Sequence, residues 1–149
     1  MERLPNSLEN LRLPVIGSPL FIISNPKLVI EQCKAGIVGS IPALNARQTS
    51  LLDEWLAEIT EELNTYNKNN PEQPAAPFAI NQIVHKTNTR LEQDMELCIK
   101  YKVLIIISSL GAREEVFEMA HSYGGIVFHD VITNNFAKKA ISKGADGLV

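Results

Sequence analysis

The sequence predicts an α/β protein built on an all-parallel sheet. Short apolar runs rich in β-branched residues alternate with longer segments whose apolar residues recur at helical spacing. The runs show no in–out alternation, as expected for strands that helices cover on both faces. The order of strand and helix repeats five times before a sixth strand begins in the final "GLV". An open doubly wound sheet and part of a (β/α)8 barrel both fit this pattern.

The predicted strands occupy six runs. In order, they are "LPVIGS", "GIVGSIPA", "PFAINQIV", "VLIIISSLG", "GGIVFHDV" and "GLV", the last of which ends at Val149. A complete barrel needs about 250 residues. The chain has 149, so it would supply about five βα units and the start of strand six. Neither a GxGxxG nor a GxxxxGK[ST] motif occurs, which weakens the doubly wound nucleotide-binding alternative.

The helices are predicted from their start and stop signals. Ser24 or Asn25 can cap the first helix, Pro26 suits its first turn, and Gly36 can end it in the left-handed conformation. The second helix is predicted to begin at a capping box of Ser50 and Asp53, and residues 65–77 are predicted to form a polar surface loop. Apolar stripes predict the buried helix faces. They are Leu52, Trp55, Ile59 and Leu63; Leu91, Met95, Cys98 and Ile99; Val116, Met119, Ala120 and Tyr123; and Phe136, Ala137, Ala140 and Ile141.

Charge and composition exclude several classes of function. The formal net charge is −3 and the sequence pI is about 5.6, so no basic excess is present to bind nucleic acid or an acidic membrane. No apolar run approaches the roughly 20 residues of a membrane span. Cys33 and Cys98 are predicted to be buried free thiols, and no metal site is predicted. These features lead us to expect a cytoplasmic protein.

Candidate ligand-binding residues follow the carboxyl ends of the strands, where both architectures place their ligands. The third strand ends at Asn81 and Gln82, and the fifth at His129 and Asp130. The side chains of His129 and Asp130 should point to opposite faces, so a direct couple is not expected. Two interpretations stay open for this pair. Either His129 bonds to backbone while Asp130 caps a helix, or one of the two faces a ligand.

Several segments together resemble the nitronate monooxygenases, formerly called 2-nitropropane dioxygenases. They include "LPVIGSPLFIISNPKLVIEQCKAGIVGSIPALNARQ", "FAINQIVHKTN", "SSLGA", "GGIVFHDVI" and "AKKAISKGADGLV", which together span about residues 13–149. The resemblance implies an FMN-dependent (β/α)8 barrel. It also implies oxidation of alkyl nitronates by O2 to carbonyl compounds and nitrite.

The resemblance implies which residues contact the flavin. Asn81 matches an asparagine that contacts the cofactor in the family. The family usually has Ala-Pro-Met where this chain has Ser-Pro-Leu, and some members carry a lysine at the strand-five position. The implied cofactor-binding residues are Ser18, Pro19, Leu20, Phe21, Asn81, Gln82, Ser109, Gly111, His129 and Asp130.

The resemblance also implies that residues 1–149 are the N-terminal part of an FMN-binding barrel domain. The family's catalytic histidine and FMN phosphate loops follow the strand that begins in "ADGLV", so we expect them beyond Val149. No catalytic residue is therefore predicted here, and we expect an incomplete fragment of an enzyme. The expected partners are a nitronate or nitroalkane and O2, and a homo-oligomer is left open. Two alternatives remain: another flavin or phosphate-binding barrel, such as an enoyl reductase or an IMP dehydrogenase-like enzyme, and a non-catalytic α/β binding module.

Overall fold

The computed structural model describes residues 6–9 and 11–149, and it confirms the predicted parallel α/β fold. Five strands form one sheet in the order β1-β2-β3-β4-β5, and every pair is parallel. The strands are β1 (Gly39–Pro42), β2 (Phe78–Ile83), β3 (Ile105–Ser109), β4 (Ile126–His129) and β5 (Gly147–Leu148). Strands that are consecutive in sequence are neighbours in the sheet. This is the order of a barrel and not of a doubly wound sheet, whose strand order reverses.

The helices lie between the strands. They are α1 (Asn6–Glu9), α2 (Pro26–Lys34), α3 (Thr49–Asn69), α4 (Leu91–Lys100), α5 (Glu114–His121) and α6 (Asn134–Ser142), with a 3-10 turn, η1, at Ala43–Asn45. The predicted cap of α2 is confirmed, because Asn25 Oδ1 accepts a hydrogen bond of 3.1 Å from the Leu28 N–H. Gly36 follows α2 with φ +86, the left-handed stop that was predicted.

The first predicted strand is wrong in extent. "LPVIGS" contributes one isolated parallel bridge, between Ile16 and Val38 at the edge of the sheet. The Gly17 N–H donates to Val38 O over 2.7 Å, and the Val38 N–H donates to Val15 O over 3.1 Å. Pro14 has no N–H to donate, so pairing does not extend toward the start of the run.

The last predicted strand, which begins in "GLV", is confirmed as β5. β5 comprises Gly147 and Leu148, whereas Val149 lies outside it and is 61% exposed. The backbone of Val149 still contacts the neighbouring segment: its N–H donates to His129 O, and its carbonyl oxygen accepts from the Val131 N–H, each over 3.0 Å. These two bonds continue the parallel pattern of β4 and β5.

The predictions for α3 are corrected at both ends. Its N-cap is Gln48, and no side chain caps it. Asp53 instead accepts 2.7 Å hydrogen bonds from Lys100 Nζ and Tyr101 Oη, which tie α3 to α4. The helix continues to Asn69 through residues that were predicted to be a loop. Polar residues can continue a helix that faces solvent, so a polar sequence does not by itself end one. Proline cannot continue a helix, and α3 ends just before Pro71.

The sheet has two faces of different character. The helix-side face packs against α2 to α5 and carries Ile41, Ile80, Ile106 and Val127. The opposite face, here called the inner face, carries Val38, Ala79, Ile105 and Ile107, with Leu8 of α1 packed against it. Cys33 and Cys98 are fully buried free thiols, as predicted. This alternation decides which side chains can meet at the carboxyl edge of the sheet.

The predicted inward face of α6 is wrong for two residues. Ala140 is fully buried, but Phe136 is 52% exposed and Ile141 is 59% exposed. Helical periodicity identifies an apolar stripe, but it does not show which of its residues other elements cover; among the described residues, β5 covers only part of the stripe. Across the described part of the chain, no helix is both long and apolar enough to cross a bilayer.

Candidate functional site

Asn81 and Ser109 come together on the inner face, at the carboxyl ends of β2 and β3. Asn81 is 7% exposed and Ser109 is 8% exposed. Asn81 Nδ2 donates to Ile107 O and to Ser109 Oγ, each over 2.9 Å. These two bonds fix the orientation of the amide, and Asn81 Oδ1 accepts no hydrogen bond from any residue that the structure describes. The site therefore offers one oriented, unused acceptor.

The surroundings of Asn81 on the inner face are largely apolar. Pairing across the sheet puts Pro42, Asn81, Ile107, Phe128 and Gly147 in one register row. The Phe128 ring occupies the space that a Cβ at Gly147 would need. One amide among apolar side chains suits the edge and the face of a planar heteroaromatic ring.

Asn45 of η1 holds the loop that contains residues 18–24 against the end of β1. Its Nδ2 donates to Leu20 O over 3.0 Å and to Ser24 O over 2.9 Å, and its Oδ1 accepts from the Ile22 N–H over 3.3 Å. Ile22 has φ +68, which is a strained conformation for a β-branched residue. Sequence reasoning missed Asn45. The available signal was an asparagine two residues after the second predicted strand.

The same loop presents apolar side chains at the carboxyl edge. Ser18 is exposed and Pro19 is half-buried. Leu20 is 43% exposed and Phe21 is 63% exposed, with the Arg47 guanidinium 5.7 Å from the centre of the Phe21 ring. The four residues that the resemblance assigns to the flavin therefore stand on a fixed loop, next to the strand that bears Pro42.

Gln82 and His129 lie on the helix-side face and do not meet Asn81. Gln82 is fully buried, and its Nε2 donates to Cys98 Sγ over 3.5 Å. His129 is 3% exposed; its Nδ1 lies 2.6 Å from Ser108 Oγ. Its ring meets Phe117 edge-on, with ring centres 5.9 Å apart. Burial lowers the pKa of His129, and the nearby Asp130 carboxylate opposes that shift.

The remaining predicted site residues, Gly111 and Asp130, line a cleft that His129 also lines. Gly111 is exposed with φ +127 and follows Leu110 at φ +65. Asp130 is exposed whereas His129 is buried, although both line the cleft, and the opposite orientation of their side chains stays a prediction. The ten predicted residues thus form three groups: the inner-face pair, the loop of residues 18–21, and a set associated with the helix-side face.

Val149 supports this edge through its backbone alone. Its hydrogen bonds to His129 O and from the Val131 N–H hold the start of the β4–α6 loop, and its side chain does not line the cleft. The catalytic histidine that the resemblance implies beyond Val149 stays a prediction.

The strand order and the edge site define the protein as part of a (β/α)8 barrel, and comparison with solved structures agrees. FabK from Thermotoga maritima matches with a TM-score of 0.77 at 20% identity, over 96% of this chain and 41% of that chain. A nitroalkane oxidase from Streptomyces ansochromogenes matches with a TM-score of 0.78 at 14% identity, over 94% of this chain and 46% of that one.

A third similar structure is that of DHODH from Eimeria tenella in complex with ferulenol. Its TM-score is 0.61 at 9% identity, over 83% of this chain and 46% of that chain. The chain therefore spans less than half the length of these three structures. No protein-family model and no curated protein matches the sequence. At these identities the likeness establishes the fold, and the chemistry has to be argued from the site.

Proposed function

We propose that residues 1–149 form one wall of an FMN-dependent barrel oxidoreductase, and that the whole protein oxidises alkyl nitronates with O2 to carbonyl compounds and nitrite. The observation that carries this proposal is Asn81, a buried amide at the carboxyl edge with a fixed orientation and an unused oxygen. The motifs that resemble nitronate monooxygenases support it. So does the fold shared with a nitroalkane oxidase.

The inner-face residues fit the ring of a flavin. An isoalloxazine edge carries both an N–H donor and carbonyl acceptors, and Asn81 Oδ1 can accept from that N–H while Nδ2 stays engaged. Pro42 and Ile107 provide apolar surface on either side. The sequence has no glycine-rich phosphate motif. These residues would therefore hold the ring and leave the phosphate to other parts of the protein.

The chain's own residues position and shield the reacting groups. A bound flavin supplies the capacity to accept electrons from an anionic nitronate. Ser109 and Ile107 O hold the Asn81 amide, and Asn81 in turn sets the position of the ring edge. The loop of residues 18–24 places apolar side chains at the mouth of the site, where they exclude water. A nitronate is already deprotonated, so its oxidation requires no general base from this wall.

A flavin titration tests the cofactor assignment. We expect Asn81→Ala to weaken FMN binding by about tenfold or more, since one hydrogen bond to a buried polar group is lost. Flavin fluorescence quenching reports the affinity. Asn64→Ala, at an exposed position of α3, is the matched control and should change the affinity less than about twofold. Equal FMN affinity in Asn81→Ala and the wild type would show that Asn81 is not a flavin ligand.

Turnover separates nitronate oxidation from the alternatives. We expect O2 consumption and nitrite release from propyl-2-nitronate when the whole protein, of which residues 1–149 form one wall, is supplied with FMN. Oxidation of a nicotinamide cofactor with an enoyl thioester, without nitrite, would instead favour an enoyl reductase-like barrel. A protein that binds no flavin under any condition would be a non-catalytic module, and the proposal would fail.

A further inference from the structure

A cleft of about 330 Å³ opens between the β3–α5 loop and the β4–α6 loop. Of the described residues that line the cleft, His129 is the one that belongs to a strand, β4, and it lies on the helix-side face. The cleft is thus reached from the carboxyl edge but is separated by the sheet from Asn81 on the inner face. Its volume lies at the lower end of the range of about 300–1,000 Å³ that is typical of small-molecule sites. None of the roles assigned above to the inner face uses it.

His129 gives the cleft a buried polar wall. The residue is 3% exposed, so its side chain is almost completely removed from solvent. Nδ1 is paired with Ser108 Oγ at 2.6 Å, which fixes the ring against Phe117. Nε2 has no hydrogen-bond partner among the described residues. Nε2 is therefore the ring nitrogen that is left to bond a ligand in the cleft.

Within the described part of the chain, Lys139 supplies the free cation of the cleft. Lys143 lies nearby, but its Nζ donates to Ala112 O over 2.9 Å and helps to hold the loop. Arg113 is paired with Glu115 at 3.3 Å. Asp130 is the one carboxylate among the described wall residues, and it is exposed. The donors that remain for a ligand are Lys139 Nζ and, in one tautomer, His129 Nε2–H.

The wall also contains three large, exposed apolar side chains: Leu110, Ile132 and Phe136, which are 66%, 86% and 52% exposed. Leu110 has φ +65, a strained conformation that turns the loop at this point. Exposed apolar groups concentrated around one polar floor are typical of a binding site for an amphipathic molecule.

We propose that this cleft binds a small apolar carboxylate, with its head group on Lys139 and His129 and its alkyl chain on Leu110, Ile132 and Phe136. A carboxylate accepts from both donors and forms a charge-assisted bond with the lysine. The resemblance assigns Gly111, His129 and Asp130 to the flavin, but these residues line this cleft and not the inner face, so the proposal does not depend on Asn81. Asp130 repels the head group, so it limits the affinity.

Titration with hexanoate, followed by NMR of the histidine side chains, tests this proposal. The protein has three histidines, His85, His121 and His129, so their ring signals can be resolved and assigned. We expect a saturable shift of the His129 ring alone, with a dissociation constant of about 1 mM or below. Lys139→Gln should weaken binding by about tenfold, and Asp130→Asn should tighten it.

Lys138→Gln is the matched control, since this exposed lysine is adjacent in sequence and does not line the cleft. It should change the affinity less than about twofold. Acetate and hexanol should both bind more weakly, since each lacks one half of the proposed ligand. Equal losses in the two lysine variants, or no saturable His129 shift up to the solubility limit of hexanoate, would overturn the proposal. FMN binding measured on the same samples shows whether the flavin assignment fails separately.

Discussion

The chemical role of each residue at the carboxyl edge depends on the face of the strand that it occupies. Asn81 and Gln82 are neighbours in sequence, yet Asn81 bonds to Ser109 on the inner face and Gln82 bonds to Cys98 of α4. A motif that contains both therefore contributes one residue to the candidate site and one to the helix-side core. The same division separates His129 from the inner face.

The buried His129 should make stability depend on pH. Burial lowers its pKa in the folded state below the ordinary value of 6.5. The unfolded chain then binds the proton first, so stability is lost as the pH falls from 6.5 toward the folded pKa. We expect a smaller free energy of unfolding at about pH 5.5 than at about pH 7.5. Urea denaturation of the wild type and of His129→Gln measures the effect. A pH dependence of the same size in both proteins would contradict this assignment.

At the scale of elements, the hydrogen bonds of Asn45 and the strained backbone of Ile22 should be energetically coupled. Asn45 makes three hydrogen bonds to the loop, and Ile22 adopts φ +68 within it. We expect Ile22→Gly to stabilise the protein by about 1 kcal/mol, because glycine removes the left-handed strain. We expect Asn45→Ala to destabilise it by about 1–3 kcal/mol.

The double variant, with both Ile22→Gly and Asn45→Ala, shows whether the two effects on stability are coupled or independent. Without Asn45 the loop can relax, so the gain from Ile22→Gly should shrink in the Asn45→Ala background. Urea denaturation of the four proteins in this cycle gives the coupling. Strictly additive effects would show that Asn45 does not hold Ile22 in its strained conformation.

The start of α4 depends on a buried ion pair. Arg90 Nη2 donates to Asp94 Oδ1 over 3.0 Å, and Nη1 donates to Ala46 O over 2.7 Å. Asp94 is fully buried, and burial raises its pKa while Arg90 opposes the rise. We expect Arg90→Leu to cost about 3–5 kcal/mol, because the carboxyl group then loses its partner.

A matched pair of variants tests this prediction for α4. Arg113→Leu removes the exposed partner of Glu115, so it should change the free energy of unfolding far less than Arg90→Leu. Replacing Arg90 and Asp94 together by leucines should recover part of the loss. Thermal and urea unfolding provide the values. If Arg90→Leu cost no more than Arg113→Leu, the pair would not be a stabilising element.

At the scale of the whole molecule, patterning predicted the sheet and spacing predicted most of the helices. Continuous apolar runs identified β1 to β5, and Asn25 and Gly36 marked the ends of α2. What could not be predicted depends on tertiary contacts. The local sequence does not show that "LPVIGS" pairs with the sheet at one residue only. It also does not show that Asn45 bonds to a loop more than 20 positions earlier in the chain.

The candidate site was predicted in part for the same reason. Strand ends placed Asn81 and Ser109 at one edge, since parallel strands end together. Their hydrogen bond was not predicted, because it depends on register between β2 and β3. Sequence adjacency also grouped Gln82 and His129 with them, and only the alternation of the strands separates these residues.

Exposed apolar side chains predict self-association. Phe21, Ile22, Ile132 and Ile141 are all 59% exposed or more. Apolar surface of this kind favours association or aggregation. We expect the average mass in sedimentation equilibrium to rise with protein concentration. A single species with the mass of the monomer at all concentrations would contradict this expectation.

The sequential order of the strands has a consequence for how the chain can assemble. Among the described strands, each one from β2 to β5 pairs with the strand that directly precedes it in sequence. During synthesis, a newly emerged βα unit therefore finds its pairing edge already present on the preceding unit. No described strand has to wait for a distant segment to be inserted beside it, so the loop closed at each step is one βα crossover long. The fold can thus grow vectorially from its N-terminal side, with each unit acting as the template for the next.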